Sequence, residues 1–215
     1  MKFIFSIFLI LLPCAYSYCY DLCVVGATSG LGKELIYQAS VEKNKKVLAL
    51  TSQSSNTLNI PYRGDGYQEK PNTKQFMNSN IDIDSYWNHI KDNYKTIIFC
   101  TGAKPFQDDY SDKVTSKLLN QLSKKCENIV LISAYGVGDS INNANIGIQV
   151  MNNLYLKDVY RAKNEQEHII NTYYNKDNIQ KKIYRPKALS YGNTFIGESI
   201  SRYELARVIL NDLNI

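Results

Sequence analysis

The feature that most restricts how this chain can fold is the run Gly26-Ala27-Thr28-Ser29-Gly30-Leu31-Gly32. It follows the apolar run Leu22-Cys23-Val24-Val25. It opens a stretch with apolar residues at Leu31, Leu35, Ile36 and Ala39, the spacing of an amphipathic helix within Leu31 to Val41. A second apolar run, Val47-Leu48-Ala49-Leu50, closes a unit of about 30 residues, the context that gives a glycine-rich turn its meaning. Each glycine then has a physical task. Gly26 permits the tight turn, Gly30 lets bare backbone approach a pyrophosphate, and Gly32 lets the helix pack closely on the sheet. The N–H groups and dipole at the helix start favour phosphate, with Thr28, Ser29 and Leu31 completing the contact surface. A dinucleotide is the ligand this arrangement predicts.

Beyond the turn, short β-branched apolar runs alternate with longer amphipathic stretches, the pattern of βαβ units and a parallel sheet. Strands are predicted at Thr96 to Cys100, at Ile129 to Ser133 and at Lys182 to Arg185, the last stopped by Pro186. Helices are predicted over Val114 to Leu122, over Met151 to Tyr174 as one long element, and over Tyr203 to Leu213 with Ser201 as N-cap. A third strand must lie in or beside the polar stretch Thr51 to Asn80. Asn80-Ile81-Asp82-Ile83 is the choice, because helix-like Tyr86 to Ile90 follows it, and Tyr62 to Gly66 is the competitor. The fold class is therefore α/β, a Rossmann-type doubly wound parallel sheet. With 215 residues, no internal repeat and no linker, one core is expected.

The amino terminus reads as a separate segment. Lys2, the apolar run Phe3 to Leu12 and the small-x-small triplet Ala15-Tyr16-Ser17 have the order of a secretory signal peptide, which places a signal over residues 1–17 and the Rossmann domain over 18–215. The run is well short of the roughly 18 apolar residues that span a bilayer, so no membrane span is expected once the signal is removed. Cys23 and Cys100 sit inside apolar strands as small buried hydrophobes; no C-x-x-C suggests a metal or redox site. His89 and His168 lie far apart in sequence and neither belongs to a Cys/His ligand cluster, so no metal is expected. No Asn begins an N-x-Ser/Thr sequon, although Asn is abundant, which argues against residence where Asn is glycosylated. The destination predicted is the secretory pathway, leading to the ER, to secretion or to a complex plastid. The net charge of +5 is thinly spread, with nothing nearer to a cluster than pairs such as Lys124-Lys125, so nucleic acid is not an expected partner.

The end of the second strand bears on the choice of cofactor. NAD-preferring sites commonly place Asp or Glu there to bond the ribose 2′-OH. This chain reads Leu50-Thr51-Ser52-Gln53, with no carboxylate to repel a 2′-phosphate and with hydroxyls at Thr51 and Ser52 to bond one. NADP is expected over NAD, although no Arg stands there.

Several stretches in order extend the pattern: Val25 to Gly32; Thr101-Gly102-Ala103; Ile132-Ser133-Ala134-Tyr135-Gly136-Val137-Gly138; Lys163 with Glu167; Tyr184-Arg185-Pro186; and Ile200-Ser201-Arg202 running into Ala206. On these the chain, from Asp21 to its end, resembles the short-chain dehydrogenase/reductase superfamily. It is most similar to the small atypical branch with NmrA-like and biliverdin/flavin reductase-like members. The resemblance implies that Gly26 to Gly32 contact the phosphates, that Asp82-Ile83 lie near the adenine, and that Thr101-Gly102-Ala103 flank the ribose. It also implies that Ser133, Lys163 and the Pro186 turn border the nicotinamide.

One departure matters. Fully equipped members carry Tyr-x-x-x-Lys on the helix after the Ser strand, where Lys lowers the Tyr pKa and the phenol moves a proton. Here Lys163 is present but its partner position is Val159. Tyr160 is one residue late, a rotation of about 100° around a helix. Ser133, Tyr160 and Lys163 are the catalytic candidates, with Tyr135 an alternative phenol, yet in a chain of 17 tyrosines composition alone accounts for both phenols. Lys163 and Glu167, four residues apart, also fit a simple helix-surface pair. The expectation is an NAD(P)H-dependent oxidoreductase acting on a conjugated small-molecule acceptor, a flavin, quinone or similar, that draws its proton from water. The alternative is a non-catalytic NAD(P)-sensing or scaffolding module of the NmrA-like type.

Overall fold

A computed structural model describes residues 20–51, 73–77, 94–102, 111–122, 126–173, 179–190 and 199–215. In chain order the elements are β1 (Tyr20–Val25), α1 (Gly30–Tyr37) with a π-helical turn at Gln38–Glu42, β2 (Val47–Thr51), β3 (Thr73–Met77) and β4 (Tyr94–Phe99). There follow α2 (Ser111–Leu122), β5 (Asn128–Ile132), a 3-10 segment (Gly138–Asn143), α3 (Ile146–Leu154) and α4 (Lys157–Thr172). The chain closes with β6 (Gln180–Tyr184), β7 (Leu189–Ser190), β8 (Ile200–Ser201) and α5 (Arg202–Asp212).

Six strands form one parallel sheet in the order β3-β2-β1-β4-β5-β6, and β7 and β8 make a short parallel pair. A parallel sheet needs cover on both faces, because each connection is a crossover. Successive strand residues point to opposite faces. Leu22, Val24, Ala49, Ile98 and Val130 accordingly join one core with α1 and α5, while Cys23, Val25, Leu48, Phe99 and Leu131 join a second with α2 and α4. Alternate residues on the central strands are apolar on both sides, which is why those strands read as unbroken apolar runs.

The ends of the covering helices have local causes. The Ser201 hydroxyl caps α5 by accepting from the Glu204 N–H at 3.1 Å, as the sequence predicts. The buried Gln38 amide donates to the Tyr203 carbonyl at 2.9 Å, tying the π-helical turn after α1 to the start of α5.

Two sequence expectations are corrected. The third strand, expected at Asn80 to Ile83, is Thr73–Met77; Asn80 to Ile83 itself lies outside the described residues. Its partner is β2, with Val47 opposite Thr73 and Thr51 opposite Met77. An edge strand has a neighbour on one side only, so Thr-Lys-Gln-Phe-Met needs no continuous apolar run and carries little periodic signal. The competitor Tyr62 to Gly66 lies outside the described residues, as does Tyr86 to Ile90. The single helix from Met151 to Tyr174 is two helices, separated at Tyr155 and Leu156, where Leu156 has φ −122° and ψ 16°. The second carries a buried stripe, formed by Ala162, Lys163, Gln166, Glu167 and Ile170, whereas Ile146, Val150 and Leu154 of α3 are exposed. Leu156 makes no side-chain cap, so nothing in the sequence marks the break.

The packing of α5 sets a clear expectation. Ile209 is fully buried, whereas its neighbour Val208 is 36% exposed. Ile209→Ala should lower unfolding stability by about 2–5 kcal/mol. Val208→Ala should stay within about 0.5 kcal/mol. Urea denaturation of the two variants checks both.

Candidate functional site

The glycine turn lies where β1 meets its two neighbours. The Gly26 and Ala27 N–H groups both donate to the Leu50 carbonyl at 3.0 Å, tying the turn to the end of β2. On the other side, a Cβ on Gly26 would stand 2.9 Å from Cys100 C and from Thr101 N, at the end of β4. With φ +80°, Gly26 also occupies a conformation that L side chains rarely adopt. Chain connections leave β1 toward β2 and return to β4 on its other side, so this is the switch point at which an open parallel sheet binds ligands.

The helix start is built for an anion. Ser29 is the N-cap of α1, and its hydroxyl accepts from the Gly32 N–H at 2.9 Å. The Gly30 and Leu31 N–H groups come first in the helix and have no carbonyl a turn before them to bond, so they suit an external acceptor. A Cβ on Gly32 would sit 2.5 Å from the Gly26 carbonyl oxygen, so only a bare α-carbon lets the helix close on the turn. These contacts show that the residues present fit the phosphates of a dinucleotide.

Thr51 is buried, and its hydroxyl donates to the Thr28 hydroxyl at 3.3 Å. Thr51, one of the two hydroxyl residues that the sequence offers to a 2′-phosphate, thus stands beside the glycine turn. Ser52, Asp82, Ile83 and Ala103 lie outside the described residues.

At the ends of β4 and β5 the sequence candidates come together in a different arrangement from that expected. Lys163 is buried on α4, and its ammonium donates to the Thr101 carbonyl and, at 2.9 Å, to the Ile132 carbonyl. It joins the carboxyl ends of two adjacent strands. Its stem lies against Gly102, where an added Cβ would be 3.5 Å from Cε. The Tyr160 phenol donates to the Tyr135 carbonyl at 2.9 Å, so Tyr160 braces the loop after β5 rather than presenting its proton to the crevice. The Tyr135 hydroxyl likewise donates to the Asn143 carbonyl at 2.5 Å. Ser133 differs: its hydroxyl oxygen is buried without a hydrogen-bond partner, an arrangement that a bound polar group would complete. Its backbone N–H donates to Tyr184 at 2.8 Å, and the Tyr135 N–H donates to the Pro186 carbonyl at 3.0 Å, so the Pro186 turn abuts the same loop.

The surface-pair reading of Lys163 with Glu167 is corrected as well. Both are buried, and Glu167 pairs with Arg185 across two hydrogen bonds of 2.9 and 2.7 Å. Sequence reasoning also passed over Gln166, which is fully buried and donates to Thr101 Oγ1 at 3.1 Å, Thr115 Oγ1 at 2.7 Å and the Ser111 carbonyl at 3.2 Å. The only available signal was a glutamine on the apolar stripe of a helix. His168 is exposed on α4, and His89 lies outside the described residues.

No protein-family model matches this sequence, and no curated protein matches it. Solved structures do match. The anaerobilin reductase ChuY of Escherichia coli has a TM-score of 0.63 at 15% identity, with 90% of each chain covered. The oxidoreductase ylbE of Lactococcus lactis has a TM-score of 0.63 at 17% identity, over 90% of this chain and 84% of that one. A short-chain dehydrogenase/reductase of Veillonella parvula in complex with NADP has a TM-score of 0.61 at 12% identity, over 91% and 88%. The fold is a Rossmann fold, shared with these structures. At such identities the likeness is one of fold, and the site rests on the geometry above.

Within this Rossmann fold the buried cysteines are structural. Burial pushes the Cys100 thiol from 9.0 up to about 12, against a weaker opposite pull from the Lys163 ammonium. The raised value means that the folded state holds the neutral thiol. This contribution to stability is complete below the unfolded value and is lost as pH rises from about 9 toward about 12. Cys100 should therefore resist iodoacetamide at pH 8 in the native protein and react once urea unfolds it, as peptide mass mapping would show. Lys163→Met should leave the Thr101 and Ile132 carbonyls without their donor and cost about 1–3 kcal/mol for each in a denaturation curve.

Proposed function

We propose that this chain is an NAD(P)H-dependent oxidoreductase whose acceptor is a conjugated small molecule, a flavin, quinone or similar. The observation that carries the proposal is the glycine turn: Gly26 and Gly32 stand where no side chain fits, and Ser29 caps the helix whose first N–H groups face the switch point. The neighbours of like fold support it, since one is an anaerobilin reductase, one an oxidoreductase, and one was solved with NADP. The cofactor, when bound, supplies hydride to an electron-poor atom.

The chain's own residues divide the remaining work. Gly26, Thr28, Ser29, Gly30, Leu31 and Gly32 hold the phosphates, Thr101, Gly102 and Ala103 flank the ribose, and Asp82-Ile83 lie near the adenine. Ser133 offers its hydroxyl toward the nicotinamide side, beside the Pro186 turn. Lys163 keeps the ends of β4 and β5 together through the Thr101 and Ile132 carbonyls. Neither Tyr160 nor Tyr135 is free to act as acid, because both donate to carbonyls. That favours an acceptor that takes hydride into an extended π-system and its proton from water, over a simple ketone that needs a positioned acid. The absence of a carboxylate in Leu50-Thr51-Ser52-Gln53 favours NADP over NAD. The amino-terminal signal pattern over residues 1–17 supports entry into the secretory pathway and onward passage to an organelle such as a complex plastid, where NADPH is at hand.

The commitment of Lys163 and Tyr160 to backbone carbonyls also favours a second reading, an NAD(P)-sensing or scaffolding module without turnover. Calorimetric titration with NADPH and NADH, followed by an assay against flavins, quinones and carbonyls, separates the two. The expected result is tighter binding of NADPH and reduction of a flavin or quinone. Binding without turnover on any acceptor class would favour the module. Gly30→Trp should abolish binding; unchanged affinity in that variant would overturn the cofactor assignment.

A further inference from the structure

The closest ion pair between α4 and the strand ends lies beside the loop that leaves β5. Arg185 Nε donates to Glu167 Oε1 at 2.9 Å and its terminal nitrogen to Oε2 at 2.7 Å, a two-bond fork on a carboxylate that is only 4% exposed. Such paired contacts fix orientation as well as distance. Glu167 belongs to α4 and Arg185 follows β6, so the pair joins helix to sheet. Gly138 rests on it. Its φ is +55°, and an added Cβ would stand 2.3 Å from Glu167 Oε2 and 3.2 Å from the Arg185 terminal nitrogen. The Gly138 N–H donates to Asn164 Oδ1 at 2.8 Å, one turn before Glu167 on the same helix. The carboxylate cannot yield to a methyl group at 138 without giving up its fork to Arg185.

We infer that the Glu167–Arg185 pair is a latch that holds the loop Ser133–Gly138 in place as the wall of the crevice on its nicotinamide side, making Glu167, Arg185 and Gly138 positioning residues. The loop begins with the Ser133 hydroxyl, which has no partner of its own, and ends on the latch. The strand order assigns the β2 and β3 ends to one half of a dinucleotide and the β4, β5 and β6 ends to the other, so a shift of this loop acts on one half only. Stability alone is a weak reason for such a pair, since apolar replacements of buried ion pairs are often neutral or better. Its effect is on where the loop sits.

This inference rests on the dinucleotide reading, and its test separates the two. Four forms of the chain are compared: unaltered, Gly138→Ala, Glu167→Ala with Arg185→Met, and all three changes together. Each is titrated with NADPH and with 2′-phospho-ADP-ribose, which lacks the nicotinamide, and amide hydrogen exchange is followed over residues 133–140. Gly138→Ala should weaken NADPH about tenfold, or about 1.4 kcal/mol, with 2′-phospho-ADP-ribose almost unchanged. In the background without the pair, adding Gly138→Ala should change NADPH affinity by less than about twofold, the departure from additivity that marks a shared contact. Exchange should quicken over 133–140 in Gly138→Ala and in the double variant, and Arg185→Lys should restore part of the protection. Parallel weakening of both ligands, strict additivity, or unaltered exchange would each overturn the latch. Failure of the unaltered chain to bind either ligand would instead sink the dinucleotide reading, and exchange would still decide the latch.

Discussion

The close approach of the β1 turn to the end of β4 governs the architecture of this site. Gly26 lies where a Cβ would be 2.9 Å from the Cys100–Thr101 peptide, and Gly32 lies where one would be 2.5 Å from the Gly26 carbonyl oxygen. Two absent side chains thus let three pieces of backbone converge: the turn, the helix start and the neighbouring strand end. Helix N–H groups can serve an anion only if nothing stands before them, and here the missing atoms clear that space. The parallel order on either side of β1 follows from the same turn, because the chain must cross over through α1 to reach β2 and return to β4 on the opposite side.

Against that turn the far half of the crevice is held by buried polar groups. Lys163 ties Thr101 to Ile132, Gln166 ties Thr101 to Thr115 and Ser111, and Glu167 ties α4 to Arg185. Consecutive turns of one helix therefore secure the ends of β4, β5 and β6. A buried charge is tolerated only where carbonyls or an opposite charge replace its water, and each of these finds such partners. The cost is chemical. The lysine and the nearest phenol, which in a fully equipped reductase would work on a proton, here spend their hydrogen bonds on backbone. The oxidoreductase reading consequently leans on an acceptor that needs no acid from the protein.

The loop from Ser133 to Gly138 gathers these constraints. Tyr184 and Pro186 hold its start through backbone hydrogen bonds, Tyr160 holds its middle, and Asn164 with the Glu167–Arg185 fork holds its end. A loop so tied at every few residues is preorganised, and its one buried unpartnered hydroxyl, that of Ser133, is fixed before any ligand arrives.

The sequence by itself determined the features that depend on neighbours along the chain. The apolar runs of β1, β2, β4 and β5, the spacing of Gly26, Gly30 and Gly32, and the Ser201 cap were legible because strand alternation, turn geometry and capping act over a few residues. The edge strand Thr73–Met77 was not, since Thr-Lys-Gln-Phe-Met contains no apolar run to mark it. The break at Tyr155-Leu156 was not, because helical periodicity continues across it without a side-chain cap. Only the tertiary structure decided the partners of the polar residues. Lys163, four residues before Glu167, looked like half of a surface pair; in the fold it bonds Thr101, 62 residues away in sequence, and Glu167 bonds Arg185. The reason is physical. Spacing along a helix says which residues share a face, but the donor that satisfies a buried charge is chosen by whatever the packed sheet brings against that face.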